Sequence, residues 1–261
     1  MAAGQLLKKM KFAAIIPARY ASSRFPGKPL ALLGGKAVIN RVVERVRAAG
    51  IPAIVATDDE RILKTVRDAG GQAVMTRADH MCGTDRVREA ADSLSPDIDV
   101  IINVQGDEPF IHPDQLNALC ALFERYPDTD IATLVRPLPP HTPYSRLADP
   151  ALVKAVTGTD GQALYFSRFP VPFQRGVPED EWAARHRYLA HIGIYAYRTD
   201  VLRRITSLPA SSLEQAESLE QLRWLQAGMR IRTAESEHPT IGIDTPMDLA
   251  EAEVFLRHSG L

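Results

Sequence analysis

Three cationic side chains lie close together near the start of the chain: Arg19, Arg24 and Lys28. They follow an apolar run at 12–16 that is typical of a buried strand. Prolines and a glycine interrupt the cationic loop (residues 17–30), so it can form neither a regular helix nor a strand. A guanidinium group binds phosphate oxygens through two hydrogen bonds, and an ammonium group adds a point charge. The loop therefore indicates a site for a polyanion such as a nucleoside triphosphate, although an ordinary solvated loop can carry the same charges.

Two aspartates at the ends of other apolar runs offer ligands for a metal ion. Asp107 follows the run at 99–104, and Asp244 follows the run at 240–243. Magnesium prefers a few carboxylates together with water and phosphate oxygens, so this pair would suit a metal bound with a triphosphate. Asp244 also precedes a Thr-Pro pair and would serve equally well as a helix N-cap. We expect Asp107 to be functional, and both roles remain open for Asp244.

The composition limits the classes to which the protein can belong. The 261 residues carry a net charge of −1, so no overall field attracts nucleic acid or an anionic membrane. Two cysteines do not make a disulfide scaffold, and no apolar run approaches the roughly 20 residues of a spanning helix. Residues 1–11 contain three lysines but lack the apolar core of a secretion signal, so we expect a flexible extension. We expect a cytoplasmic protein without nucleic-acid or membrane partners.

Short apolar runs alternate with helical repeats over the first hundred residues. Four of these runs predict strands, at 12–16, 51–56, 72–75 and 99–104. Between them, apolar residues recur every three or four positions, which predicts helices that end near Gly50 and Gly70. This alternation predicts an α/β fold with a mainly parallel sheet that helices cover on both faces.

The carboxyl ends of these predicted strands should surround one crevice, because ligands of open parallel sheets bind there. The cationic loop follows the first strand, Thr57 and Asp58 follow the second, and Gln105 and Asp107 follow the run at 99–104. Asp58 is also placed to cap the helix behind it.

The second half of the chain departs from the alternation. Residues 136–150 contain five prolines and predict an irregular crossover, and 169–182 predict a second irregular segment. A long helix is predicted at 213–227. We interpret about 137–200 as an insertion in a single domain that comprises the whole chain. The predicted strands in this half are short: 153–157 and 163–166 as a hairpin, then 189–197, 231–234 and 240–243.

The cationic loop contains Pro-Ala-Arg-x-x-Ser-x-Arg-x-Pro-Gly-Lys, which resembles the N-terminal signature of the cytidylyltransferases that activate acidic sugars. It is neither a Walker motif nor a dinucleotide fingerprint. The resemblance continues to Asp248 and so covers nearly the whole chain. It implies a single Rossmann-like nucleotidyltransferase domain whose inserted segment forms a sugar lid and a dimer contact. The implied reaction transfers CMP from CTP to the anomeric hydroxyl of an acidic sugar and releases pyrophosphate, with Mg²⁺ as cofactor.

The resemblance also implies which residues hold the nucleotide and the metal. Residues 76–86 resemble the segment that surrounds the pyrimidine in the family. Cys82 stands where serine or threonine is expected, and a thiol is a weaker hydrogen-bond donor than a hydroxyl. The implied catalytic residues are Arg19, Lys28 and Asp107, and the implied metal ligands are Asp107 and Asp244. The implied nucleotide-binding residues are Pro17, Ala18, Arg19, Ser22, Arg24, Lys28, Thr57, Asp58, Arg77, Cys82, Gly83 and Gln105.

Two further motifs resemble those family members whose sugar is 3-deoxy-manno-octulosonate (Kdo). They are His-x-Gly-Ile-Tyr at 191–195 and Leu-Glu-Gln-Leu-Arg at 219–223. Arg168 follows a predicted strand and could pair with a sugar carboxylate through two hydrogen bonds. On the predicted helix at 213–227, Glu214, Glu217 and Gln221 would form one polar stripe. The implied sugar-binding residues are Gln105, Arg168, His191, Tyr195, Glu214 and Glu217, although the aromatic ones also suit a core.

The resemblance therefore implies CTP and Kdo as substrates, a homodimer, and a role in lipopolysaccharide assembly. Two alternatives remain open from the sequence. A related cytidylyltransferase could act on 8-amino-Kdo or a nonulosonic acid and differ only around the sugar. A nucleotide-binding regulator could keep the fold without turnover.

Overall fold

The computed structural model describes residues 9–21, 24–80, 82–239 and 241–259. Ser22, predicted to bind the nucleotide, lies outside the described residues, as does most of the predicted N-terminal extension.

The described chain alternates strands and helices over its first half, as predicted. Its strands are β1 (Phe12–Ala18), β2 (Leu32–Leu33), β3 (Lys36–Ala37), β4 (Ala53–Thr57), β5 (Gln72–Met75), β6 (Val100–Asn103), β7 (Ile131–Pro137), β8 (Lys154–Thr157), β9 (Ala163–Ser167), β10 (Leu189–Arg198) and β11 (Ile231–Glu235). Its α-helices are α1 (Val38–Ala48), α2 (Glu60–Asp68), α3 (Gly83–Ala91), α4 (Pro113–Arg125), α5 (Tyr144–Leu147), α6 (Trp182–Arg185), α7 (Thr199–Ile205), α8 (Ser212–Glu217), α9 (Glu220–Gln226) and α10 (Pro246–Ser259). Short 3-10 turns span Lys28–Leu30 and Glu179–Glu181. Within the described ranges, no helix is both long and apolar enough to cross a membrane.

One mixed sheet runs through the fold, with the order β11-β7-β10-β6-β1-β4-β5. Neighbours pair in parallel from β6 through β1 and β4 to β5, and β11 pairs in parallel with β7. Strand β10 is antiparallel to both β6 and β7. The predicted mainly parallel sheet is confirmed, and the predicted hairpin is present as the antiparallel pair of β8 and β9.

Strand β1 shows why the central strands are unbroken apolar runs. Ala14 and Ile16 pack on one face of the sheet in a cluster with Val42 of α1. Ile15 points to the other face and packs in a cluster with Val87 of α3. Both faces are buried, so each residue of the strand must be apolar. The carboxyl end of β1 then leaves the core and leads into the cationic loop.

Three details of the predicted elements are wrong. The predicted helix at 213–227 is two helices, because Ser218 has a left-handed backbone (φ 51°) between α8 and α9. Asp58 does not cap α2, since the side chain of Asp59 accepts from the backbone of Arg61 at 2.9 Å. The described residues 241–243 form no strand. Helix α4 and most of β7 lie in segments for which the sequence analysis predicts no element.

Candidate active site

Lys28 lies at the centre of a cluster of charged side chains. Its Nζ is 2.6 Å from Oδ2 of Asp107 and 3.1 Å from Oδ1 of Asp244. Arg24 approaches Asp244 from the other side, with Nη2 3.2 Å from Oδ2. The Lys28 side chain is only 12% exposed, whereas Arg24 and Asp244 are 65% and 49% exposed, so water screens the pair of Lys28 and Asp107 the least. Residues that lie far apart in the sequence thus meet at one point, as the strand-end argument predicts.

Two glycines allow the backbone to bring this cluster together. Gly27 has a left-handed conformation (φ 74°) and directs the chain into the turn that begins at Lys28. Gly106 lies where the ends of β1 and β6 approach, and a Cβ there would be 2.8 Å from the carbonyl oxygen of Pro17. A side chain at position 106 would therefore push the segment of Asp107 away from the cationic loop.

Asp244 has no capping role in this structure. Thr245 caps α10, because its Oγ1 accepts from the backbone N–H of Asp248 at 3.2 Å. The carboxylate of Asp248 in turn accepts from the backbone N–H groups of Asp244 and Thr245, at 2.8 and 2.7 Å. A further backbone bond joins Ile243 N to the Asp107 carbonyl at 2.9 Å. The carboxylate of Asp244 is thus left to face Lys28 and Arg24.

The two carboxylates suit a divalent metal ion. Both bind the same ammonium nitrogen, so they lie close enough to share one cation. Their donor atoms are oxygens, which hard divalent cations prefer. Next to them, burial and the negative charge of Asp107 raise the pKa of Glu108 to about 7.

A cavity of about 170 Å³ opens beside this cluster. Several residues of the predicted nucleotide site line it together with Asp107. The full lining is Pro17, Ala18, Arg19, Ala21, Lys28, Pro29, Gln105, Gly106 and Asp107. The structure therefore brings the cationic loop and the segment after β6 to one crevice.

Arg19 reaches from the end of β1 to the turn before α3. Its guanidinium donates to the carbonyl of His80 and, at 3.5 Å, to that of Cys82. Gly83 begins α3 directly after this turn. Arg77 is instead on the surface, paired with the exposed Asp79. Arg19 thus connects the predicted phosphate-binding loop to the predicted base-binding segment.

Asp58 serves a buried arginine that the sequence analysis did not identify. Oδ2 of Asp58 is 2.7 Å from Nη2 of Arg86, whose side chain has no solvent exposure. Arg86 also donates to the hydroxyl of Thr76. A buried guanidinium without its carboxylate would be costly, so this pair fixes α3 against the end of β4. Thr57, the last residue of β4, is also buried.

Glu220 is a second residue that the sequence analysis did not assign, although its motif at 219–223 was recognised. Its carboxylate accepts from the hydroxyl of Thr84 at 2.9 Å and lies 3.7 Å from the sulfur of Cys82. Burial raises the pKa of Glu220, and burial together with that carboxylate raises the pKa of the Cys82 thiol to about 11. The Cys82 thiol therefore remains protonated and donates toward Glu220.

Arg168 is held by backbone oxygens. Its Nε, Nη1 and Nη2 donate to the carbonyls of Glu217, Pro150 and Ser218 at 2.6, 2.8 and 3.1 Å. The Glu217 carboxylate accepts from the backbone of Arg168 at 2.9 Å and from the hydroxyl of Ser167 at 2.7 Å. The left-handed turn at Ser218 supplies one of these carbonyls, so the break between α8 and α9 positions Arg168.

Glu214, Glu217 and Gln221 do not form one polar stripe, because the break between α8 and α9 separates Gln221 from the two glutamates of α8. The side chain of Glu214 has a local role. Its carboxylate accepts from the backbone of Ser211 at 3.1 Å, which completes the cap of α8. It also lies 3.2 Å from Nε of Arg223.

His191 and Tyr195 are neighbours on β10, with ring centres 5.4 Å apart. Nε2 of His191 is 3.0 Å from the hydroxyl oxygen of Thr133. That hydroxyl donates to the carbonyl of Ile194 at 2.8 Å, so the assigned histidine tautomer carries its proton on Nε2. The buried hydroxyl oxygen of Tyr195 has no hydrogen-bond partner among the described residues.

Burial lowers the pKa of His191 to about 3. Between about pH 6.5 and about pH 3, His191 is protonated in the unfolded chain but not in the folded protein. The free energy of unfolding therefore falls as the pH falls through this window. The free energy of unfolding should decrease when the pH is lowered from about 7.5 to about 5. We expect this decrease to be larger in the wild type than in His191→Gln, by up to about 2 kcal/mol. Urea unfolding of both proteins at the two pH values measures this difference. Equal decreases would contradict a buried, neutral His191.

The α/β fold with its mainly parallel sheet, together with the cationic loop that faces Asp107 and Asp244, is that of a nucleotidyltransferase. The chain belongs to the cytidylyltransferase family, whose model matches residues 13–231.

The relatives in this family are similar over nearly the whole chain. A 3-deoxy-manno-octulosonate cytidylyltransferase from Bacteroides thetaiotaomicron is 56% identical over 249 residues, which are 95% of this chain and 99% of the relative. One from Porphyromonas gingivalis is 52% identical over 248 residues, covering 95% and 97%. A solved structure of CMP:2-keto-3-deoxy-manno-octonic acid synthetase complexed with CTP has a TM-score of 0.87 and 44% identity, covering 95% of this chain and 99% of that chain.

Proposed function

We propose that this chain transfers CMP from CTP to the anomeric hydroxyl of Kdo, giving CMP-Kdo and pyrophosphate for lipopolysaccharide assembly. One observation carries the proposal: Lys28 joins Asp107 and Asp244 beside the strand-end cavity. Cations and carboxylates arranged in this way are what a triphosphate with a metal ion requires. The names of the close relatives and the CTP bound to the solved neighbour support the choice of substrates.

The reaction needs positioning and neutralisation of charge more than covalent chemistry by the protein. The sugar hydroxyl oxygen attacks the α-phosphorus and its proton is released to water. The bond between the α-phosphorus and the oxygen that bridges to the β-phosphate breaks, and pyrophosphate leaves with that oxygen. Lys28, Arg19 and Arg24 supply positive charge for the phosphates. Asp107 and Asp244 are the residues that would hold Mg²⁺, which neutralises the phosphate charge when it is bound. To bind a triphosphate, Lys28 exchanges its carboxylate contacts for phosphate oxygens.

The base lies, in this proposal, against the segment that Arg19 and Glu220 support. Cys82 and Gly83 present backbone groups there, because the Cys82 thiol is occupied by Glu220. Asp58 contributes by holding Arg86, and with it α3, in place, and the hydroxyl of Thr57 accepts from the backbone N–H of Asp59 at 3.2 Å. Arg77, which pairs with Asp79 on the surface, would have to turn toward the base.

The sugar lies, in this proposal, between Gln105 and the segment around Arg168. Three of the five guanidinium N–H groups of Arg168 bind backbone carbonyls, which leaves two for the sugar carboxylate. His191 and Tyr195 offer hydrogen bonds to sugar hydroxyls. Glu214 and Glu217 hold α8 and Arg168 in position, so their part in sugar binding is to shape the pocket.

The remaining features of the proposal concern the assembly and location. We propose a single domain in which 137–200 form an insertion that covers the sugar and supports a homodimer. Phe169 and Phe173 of this segment are 61% and 70% exposed and offer apolar surface for such a contact. We also propose a cytoplasmic location, where CTP is available.

A panel of nucleotides and sugars, read by pyrophosphate release, tests the proposed function. The wild type should release pyrophosphate with CTP and Kdo and much less with ATP, GTP or UTP. Activity with a nonulosonic acid or 8-amino-Kdo above that with Kdo would replace the proposed sugar. Absence of release with every pair would indicate a regulator that only binds nucleotide.

In Arg168→Lys the Michaelis constant for Kdo should rise and that for CTP should remain close to the wild-type value, because lysine keeps the charge but loses the two-pronged geometry.

A further inference from the structure

Three side chains form a cluster outside the cavity described above. His112 is the N-cap of α4, Asp114 lies in the first turn of that helix, and His238 follows β11. The rings of the two histidines stack in parallel, with centres 3.7 Å apart and an angle of 10° between their planes. One ligand atom from each of the three residues lies within 4.8 Å of the others.

We infer that His112, Asp114 and His238 form a binding site for a divalent transition metal of the zinc class, separate from the metal site at Asp107 and Asp244. Two imidazole nitrogens and one carboxylate oxygen are the donor set that such ions prefer, whereas magnesium prefers oxygen alone. The inference goes beyond the proposed nucleotidyl transfer and does not depend on it.

The distances within the cluster suit ligands of one ion. Oδ2 of Asp114 is 3.3 Å from Nδ1 of His112 and 3.5 Å from Nε2 of His238. Two ligands bound at the usual zinc distances in a tetrahedron are about 3.4 Å apart. The observed separations are long for hydrogen bonds of a carboxylate but match the edges of a metal polyhedron.

Nδ1 of His112 is in the state that a metal requires. It accepts from the backbone N–H of Asp114 at 3.2 Å, so it carries a lone pair and no proton. The bound ion would replace this long capping hydrogen bond with a stronger interaction. The positive end of the α4 dipole would repel a bound cation, and the negative charge of the Asp114 carboxylate offsets this repulsion.

Both histidines are held in place from behind. The backbone of His112 donates to the buried Gln115 at 2.9 Å, and the backbone of His238 donates to Ser236 at 3.2 Å. The side chains of His112, Asp114 and His238 are 37%, 71% and 39% exposed, so an ion can enter directly from solvent. The site is thus accessible and its ligand atoms already lie close together, and a tilt of the stacked rings would direct both nitrogen lone pairs at one ion.

The position of the site gives it a consequence for the active site. His112 follows Asp107 by five residues, and His238 precedes Asp244 by six. An ion bound to both histidines would tie together the two segments that carry the facing carboxylates. We therefore expect the ion to act as a structural clamp that stabilises the fold without nucleotide.

Metal titration of tag-free, chelator-treated protein tests the inference. Isothermal calorimetry with ZnCl₂ should show one site in the wild type, and CoCl₂ should give visible ligand-field bands typical of nitrogen and oxygen ligands. His238→Ala and His112→Asn should each weaken zinc binding more than tenfold; asparagine at position 112 retains an N-cap. His141→Ala, which removes an exposed histidine outside the cluster, is the matched control and should bind like the wild type.

Two further measurements separate this site from the carboxylates at Lys28. Millimolar MgCl₂ should not displace zinc, and zinc should raise the melting temperature of the wild type and His141→Ala but not of His238→Ala. Displacement by magnesium, unchanged zinc binding in His238→Ala, or failure of the wild type to bind zinc would each overturn the inference. None of these readouts involves CTP or turnover, so the result is independent of the test of nucleotidyl transfer.

Discussion

Asp107→Asn and Asp244→Asn are each expected to lower kcat by about a hundredfold or more, and the double variant should be little slower than either single variant. Asparagine keeps the shape of each side chain and removes its charge. The two carboxylates bind the same ammonium nitrogen, so they are placed to act on one cation as a unit. Groups that act as a unit give strongly non-additive losses, since the first substitution already disables the unit.

Pyrophosphate release measured over a range of MgCl₂ concentrations checks this expectation. Each single variant should need more magnesium than the wild type to reach its own maximal rate. Asp68→Asn is the control, because it removes an exposed carboxylate that pairs with Lys64 on the surface. Losses that multiply in the double variant would mean that the two aspartates perform separate tasks.

The parts of the fold that depend on local pattern were predictable from the sequence. The strands β1, β4 and β6 are apolar runs because both of their faces are largely buried, and this pattern does not depend on distant residues. The position of Asp107 beyond β6 followed from the general rule for parallel sheets. The class of fold and the location of the crevice could therefore be derived without the structure.

The order of the strands could not be derived, because it depends on long-range pairing. Strand β10 lies between β6 and β7 and runs antiparallel to both, although the chain reaches β10 long after them. No local motif encodes this choice. The stacking of His112 on His238 arises in the same way, from segments that are distant in sequence.

One error and one question left open by the sequence, at 213–227 and at Asp244, have local causes that the sequence hides. Ser218 adopts a left-handed backbone conformation without glycine or proline nearby. The sequence therefore carries no signal for the break in the helix predicted at 213–227. At Asp244, either the aspartate or the following threonine could cap α10, and only the structure shows that Thr245 does so. Arg86 appeared in a recognised motif, but its burial against Asp58 could not be inferred from spacing.

Lys28→Ala is expected to lower kcat by about a hundredfold or more while the protein remains folded. The ammonium group lies between the carboxylates and beside the cavity, where the charge of a reacting triphosphate would be greatest. Without ligand, Lys28 also holds Asp107 and Asp244 together. Loss of Lys28 leaves the two carboxylates facing each other, and Arg24 is the remaining cation that the structure places against Asp244. Some loss of thermal stability is therefore expected, but loss of the sheet is not.

Steady-state pyrophosphate release and circular dichroism together distinguish these effects for Lys28. The matched control is Lys36→Ala, since Lys36 is an exposed lysine near the same loop that pairs with Glu44 on the surface. The control should retain wild-type turnover, because its charge does not face the cavity. If Lys28→Ala showed a native spectrum and near-wild-type turnover, the cationic loop would bind no reacting phosphate, and the cluster of Lys28, Asp107 and Asp244 would serve only to hold the strand ends together.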